Sequence, residues 1–163
     1  MKILETRALR GPNLYSLWPV IFMKLDIGNL EEQPSDQVPG FRTMLEEMMP
    51  SLYDHTCSPN RPGGFFERIE RGTWAAHVVE HIAIELQGLA DNEVSFGKSF
   101  SSEEDTVYNI VYSYIDENVG LKAGQFAVEI TEKLYQGEAT EVKPLVYQLK
   151  KIRDASLLGP STE

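Results

Sequence analysis

Hydrophobic positions recur with two different periods, and the switches between them divide the chain into elements. Lys2 to Leu9 reads as a short strand, closed by Arg10-Gly11-Pro12-Asn13, where glycine, proline and asparagine each favour a turn for a different reason. In Val20 to Ile27, the residues Ile21, Met23, Leu25 and Ile27 alternate with Phe22, Lys24 and Asp26, the period of two that predicts a strand with one buried face. These two strands are expected to pair as a hairpin. Residues 28–40 are polar, carry Pro34 and Pro39, and read as a loop. From Phe41 the period lengthens: Phe41, Met44, Leu45, Met48 and Met49 line one face of a helix ended by Pro50, with the methionines as core filler. Tyr53 to Gly64 is an irregular loop, and Phe65 to Arg71 a short helix or turn.

Thr73 to Gln87 carries the strongest helical pattern. Val78, Ile82, Leu86 and Leu89, with Ala75, Val79 and Ala83, fill one half of its wheel, while His77, Glu80, His81 and Glu85 lie along the other. Gly72 and Thr73 supply a loop residue and an N-cap, and Gly88 a stop. Beyond it, Glu93 to Gly97 is a weak strand, and Lys98 to Asp105 a serine-rich acidic loop that would serve as a lid. Thr106 to Asp116 is the clearest strand, with Tyr108, Ile110, Tyr112 and Tyr114 on one face and Val107, Val111 and Ile115 on the other, so both faces should be at least partly covered. A helix from Gly120 to about Gln136 and a last one from Val142 to Asp154 follow, and Ala155 to Glu163 is tail-like. Strands and helices come in blocks, which favours an α+β two-layer domain, a small mostly antiparallel sheet with helices packed on one face.

A chain of 163 residues with 42% hydrophobic content suffices for one domain with a proper core. Its net charge of −10 argues against nucleic acid or an anionic membrane surface as partner and suits a cationic one. Cys57 is the single cysteine, so no intrachain disulfide is possible and a reducing compartment is the simplest inference. With neither a signal-peptide pattern nor about 18 consecutive apolar residues, a cytoplasmic location is expected.

The candidate chemistry sits on the central helix, where His77-Val78-Val79-Glu80-His81 reads H-x-x-E-H. Histidines four residues apart share a helix face and can both reach one metal ion, as in the inverted zincin motif, with Glu80 beside a metal-bound water as general base. A catalytic zinc takes three protein ligands and keeps an open position for water. For the third ligand the order of preference is Glu117, then Glu85, then Glu129 or Glu132, because a carboxylate at a strand end can point across a sheet edge toward a neighbouring helix. The competing reading makes His77 and His81 surface histidines paired with Glu80 and Glu85, and makes Asp116 and Glu117 simple helix caps. His55 and Cys57 could be distant ligands, but with one of each and no second pair a structural role is favoured. Gly63-Gly64 allows either a close backbone approach or only a flexible turn.

Taken together, Arg10-Gly11-Pro12-Asn13, Pro39-Gly40-Phe41, Gly63-Gly64-Phe65-Phe66-Glu67-Arg68, His77 to Gln87, Tyr112 to Glu117 and Leu158-Gly159-Pro160-Ser161-Thr162 resemble the N-terminal domain of the cyanophycin synthetase family. The resemblance spans nearly the whole chain and implies a family domain over residues 1–154, with 155–163 leading toward an ATP-grasp ligase domain and then a Mur-ligase-like domain, neither present here. It implies an ATP-dependent enzyme that builds cyanophycin, a polymer with an aspartate backbone and arginine on each side chain, with ATP and Mg2+ used only in those ligase domains. This domain would hold the polymer and cut it to short primers, with His77 and His81 as Zn2+ ligands and Glu80 as general base. Glu85, Asp116 and Arg68 are candidate substrate contacts, since carboxylates pair bidentately with guanidinium groups. The alternatives are a non-catalytic polymer-binding module and an assembly interface of a homo-oligomeric synthetase, through Trp18, Phe22 or Trp74.

Overall fold

Two strands whose apolar residues alternate, and two more that pair with them, form an antiparallel sheet in the order β1 (Lys2–Leu9), β2 (Val20–Asp26), β4 (Val107–Ser113), β3 (Gly97–Ser101). The computed structural model describes residues 1–159. β1 and β2 form the expected hairpin, and β2 pairs with β4 so that Met23 faces Ile110 and Ile21 faces Tyr112. These four side chains, with Leu25, are fully buried on the face that receives the helices. Burial of each large apolar side chain contributes roughly 1.5–3 kcal/mol. The other face is covered as well, though not by a helix. Tyr15, from the β1–β2 loop, stacks on Phe22 with ring centroids 5.7 Å apart, and Val20, Val107 and Val111 beside it are buried.

Five α-helices complete the second layer: α1 (Phe41–Met48), α2 (Gly64–Arg71), α3 (Ala75–Leu89), α4 (Glu117–Tyr135) and α5 (Val142–Leu158). α3 lies against β3 and β4, α4 against β1 and β2, and the two helices pack side by side. The architecture is the two-layer α+β domain that the sequence pattern predicts. No described helix is long and apolar enough to cross a membrane.

Several boundaries differ from expectation, each for a physical reason. α3 starts at Ala75 with Trp74 as its cap, and the Thr73 hydroxyl turns instead to His77. The helix also runs through Gly88 and stops at Ala90, after which Asp91 takes a left-handed conformation at φ 60°. β3 occupies Gly97–Ser101, sharing only Gly97 with the weak strand expected at Glu93 to Gly97 and running into the stretch read as an acidic lid. It escaped detection because Gly97, Ser99 and Ser101, which share one face of the strand, carry no apolar side chain, although Gly97 lies against both Glu80 and Ile84. α4 begins at Glu117, three residues before Gly120, and α5 continues past Asp154 to Leu158. Residues 160–163 of the stretch expected to lead onward lie outside the described residues.

The largest departure is the burial of α3. A helix apolar on one half and polar on the other is expected to face water with the polar half. Here every residue from Ala75 to Gln87 except His77 is buried, with Glu80, His81 and Glu85 only 6%, 7% and 8% exposed. A pair of solvated surface histidines is therefore not what this helix carries.

Candidate functional site

Burying histidines and glutamates costs free energy unless each is hydrogen-bonded, paired or bound to a cation. α3 places His77 and His81 one turn apart, and their Nε2 atoms lie 3.0 Å from each other. The ring of His81 stacks on Phe65 of α2 at a centroid distance of 4.0 Å, and His77 meets the same phenylalanine edge-on. The third donor comes from the loop after the 3₁₀ turn Pro50–Asp54. Cys57 Sγ lies 3.4 Å from His77 Nε2. A Cβ on Gly64 would come 2.0 Å from the carbonyl oxygen of Thr56, so only glycine lets the start of α2 press against the Cys57 loop. The Gly63-Gly64 pair is thus a close backbone approach.

Cys57, His77 and His81 each offer a ligand atom within 4.8 Å of the others, a group that can hold a metal ion. Bonds of about 2.0–2.3 Å to one tetrahedral ion would space such donors about 3.3–3.6 Å apart, close to the 3.0 Å between the two histidines and the 3.4 Å from Cys57 to His77. The outer contacts match that use. His77 Nδ1 is 2.8 Å from Thr73 Oγ1, which can accept its proton and leave Nε2 bare. His81 Nδ1 is 2.9 Å from His55 Nδ1, and His55 Nε2 is 2.9 Å from Glu85 Oε2. Ser51 donates to the other oxygen of Glu85.

Electrostatics favour the same protonation states. Burial, with help from the nearby Arg68 guanidinium, lowers His77 to about 4, and burial beside two other imidazoles holds His81 well below its ordinary value. Both rings are neutral at pH 7, the form that binds metals. Burial pushes the Cys57 thiol up, so deprotonating it requires a compensating cation. Glu80 is raised to about 7 by burial, against an opposing hydrogen bond from Ser99. Its carboxylate falls outside the three-donor group yet lines the same cleft. For Glu85, burial pushes upward, but the hydrogen bonds from His55 and Ser51 outweigh it and hold the carboxyl below its usual value.

The cleft has a volume of about 1330 Å³ and runs between α3, β3 and the 51–58 segment. His77, Glu80, His81, Glu85 and Arg68 all line it. Asp116 and Glu117 do not. Asp116 accepts from the backbone nitrogen of Val119 and caps α4, and Glu117 is exposed in the first turn of that helix. Glu132 meets the N-terminal amino group and Glu129 is exposed, and neither lines the cleft. In place of the expected carboxylate, Cys57 completes the donor group. His55 and Cys57, favoured as structural from sequence, both stand at the site. The usable signal was the chain's only cysteine two residues from its remaining histidine, but spacing along a loop does not report a contact made across 20 residues. Phe22, named as an assembly contact, is buried under Tyr15.

A Cys/His/His donor group, with His81 buried and Cys57 and His77 partly so, beside a buried carboxylate and opening on a cleft of a two-layer α+β domain, defines a metal-capable binding domain. A family model described as Cyanophycin synthase-like N-terminal domain matches residues 22–136, and the chain belongs to that family. The cyanophycin synthetase of Crocosphaera subtropica is 41% identical over 168 residues, covering all of this chain. That of a Synechocystis species is 42% identical over 168 residues, and that of a Nostoc species 41% over 169. The chain spans 19% of the length of each of these relatives.

Proposed function

We propose that this chain is the polymer-handling domain of an ATP-dependent cyanophycin synthetase, and that its cleft hydrolyses cyanophycin to short primers at a zinc site. The observation that carries the reading is the convergence of Cys57, His77 and His81 within 4.8 Å beside the buried Glu80. The donor chemistry fits zinc, which takes thiolate and imidazole ligands in tetrahedral sites and keeps one position open in catalytic ones. Bound there, zinc would act as a Lewis acid on water and on the scissile carbonyl.

The chain's own residues supply the rest. Glu80, with an affinity for protons near neutrality, takes the proton from the attacking water as its oxygen bonds to the carbonyl carbon. The same carboxyl returns that proton to the departing amine when the carbon–nitrogen bond breaks. Arg68 lines the cleft and makes no hydrogen bond or ion pair among the described residues, which leaves its guanidinium free for a carboxylate of the polymer. Asp54 and Glu93, also in the lining, suit the polymer's guanidinium groups.

A cleft of this volume also suits a non-catalytic holding module, and one experiment separates the two. Cyanophycin incubated with the domain should shorten, and a zinc chelator should stop the shortening. Binding with unchanged chain length in the zinc-loaded protein would assign the domain to holding alone.

A further inference from the structure

We propose that the free edge of β3 binds the backbone of the polymer, which lies down beside it as a fifth strand and is thereby carried past Glu80. The inference rests on the reading of this chain as a cyanophycin-handling domain, but not on cleavage.

The outermost strand of a sheet leaves a row of backbone N–H and C=O groups without partners, a ready template for another extended chain. β3 is outermost and pairs only with β4 among the described residues. The ladder fixes which of its groups are free. Ser113 N–H donates to the Phe96 carbonyl at one end, and Ser102 N–H donates to the Val107 carbonyl at the other, each at 2.9 Å. Antiparallel bonding alternates along a strand, so Phe96, Lys98, Phe100 and Ser102 turn their backbone groups toward β4. Gly97, Ser99 and Ser101 turn theirs away. Gly97 and Ser99 are half-buried and Ser101 is exposed, and all five residues of β3 line the cleft.

This edge also runs along the proposed base. A Cβ on Gly97 would stand 2.7 Å from Glu80 Oε1, and the Ser99 side chain hydrogen-bonds to the same carboxylate. Three outward residues, each with one donor and one acceptor, hold an extended chain through its main chain whatever its side chains are. Side chains of a bound strand alternate between its two faces, so every second arginine falls on the α3 side, in the cleft that Asp54 and Glu93 line. The occupant is therefore an amide-linked chain rich in guanidinium groups. A second copy of this chain, with its own net charge of −10, suits the edge less well.

The test is binding of synthetic cyanophycin octamers to the metal-free 163-residue chain, where no cleavage intervenes. Backbone N-methylation removes hydrogen-bond donors and keeps every side chain and charge. Methylating every backbone amide should weaken binding about tenfold or more, because several hydrogen bonds are lost together. Methylating every second amide leaves one edge of the extended octamer intact and should cost at most about threefold. On the protein side, Ser101→Pro removes an outward N–H and spares the β4 ladder, as an edge strand allows, and should weaken binding about three- to tenfold. Ser101→Ala, which removes only the hydroxyl, should bind like wild type. Thermal unfolding verifies each variant, and the octamer series decides the matter if Ser101→Pro does not fold. The proposal is overturned if the fully methylated octamer binds like the unmodified one, if alternate methylation costs as much as full methylation, or if folded Ser101→Pro binds like wild type. It falls together with the polymer-handling reading if wild type does not bind the unmodified octamer. The alternating pattern without shortening of the polymer after zinc loading would sustain it and sink only the hydrolytic site.

Discussion

A side chain on Gly97 would meet Glu80 and Ile84 together: its Cβ would sit 2.7 Å from Glu80 Oε1 and 2.7 Å from Ile84 Cδ1. β3 and α3 therefore touch through a bare backbone at the one carboxylate proposed as base. Gly97→Ala should push Glu80 aside, slow hydrolysis of the polymer about 10-fold or more through misplacement alone, and leave zinc affinity near wild type. Steady-state rates beside a zinc titration check this, and equal loss of both would mean that the substitution unfolds the site.

Glu80 and His77 oppose each other in the pH dependence of stability of the metal-free domain. Glu80 is raised from 4.5 to about 7 on folding, so its contribution is greatest below pH 4.5 and is lost as pH rises to 7. His77 is lowered from 6.5 to about 4, so its contribution is present above pH 6.5 and is lost as pH falls toward 4. Each contribution is on the order of 3 kcal/mol, because a tenfold change in proton affinity corresponds to about 1.4 kcal/mol. Glu80→Gln should remove one slope, leaving stability that climbs from pH 4 to 6.5 and exceeds wild type at pH 8. Denaturant unfolding at pH 5 and pH 8 measures this, and a Glu80→Gln protein less stable than wild type at pH 8 would contradict it.

Cys57 should be a ligand whose proton must leave. Because burial holds the thiol above its ordinary value, zinc binding at pH 7.5 should release about one proton per ion, and affinity should rise with pH. Cys57→Ala should abolish that release and weaken binding about 100-fold or more, since an outer-shell loss alone costs 10–100-fold. Calorimetry in buffers of different ionisation enthalpy counts the protons.

Gly64 should tolerate nothing larger. Gly64→Ala drives a Cβ into the Thr56 carbonyl and must displace the Cys57 loop, costing about 1–3 kcal/mol of stability as overpacking does. Zinc affinity should fall with it, because the loop carries the third donor. Chelator competition and denaturant unfolding on the same variant measure both losses.

The sheet core was legible because its residues obey period two: Ile21, Met23 and Leu25 needed only an apolar partner layer to be buried. His77, Glu80 and His81 were legible because four-residue spacing on a helix fixes their common face. Cys57 and His55 were not, since loop residues have no period, and their contacts depend on how Gly64 lets α2 close on the loop. Glu117 drew attention as a carboxylate at a strand end, yet a carboxylate there also neutralises the start of a helix, and that local role prevails for Asp116 and its neighbour. β3 stayed hidden because Gly97 and Ser99 on its inward face carry no apolar side chain to show a period.

The most direct measurement compares zinc-loaded wild type and Glu80→Gln, at equal metal content, for the chain length of cyanophycin after incubation. Shortening by wild type, and none above background by Glu80→Gln, is the outcome this account predicts. Equal shortening by both proteins, or none by wild type with its zinc in place, would contradict it.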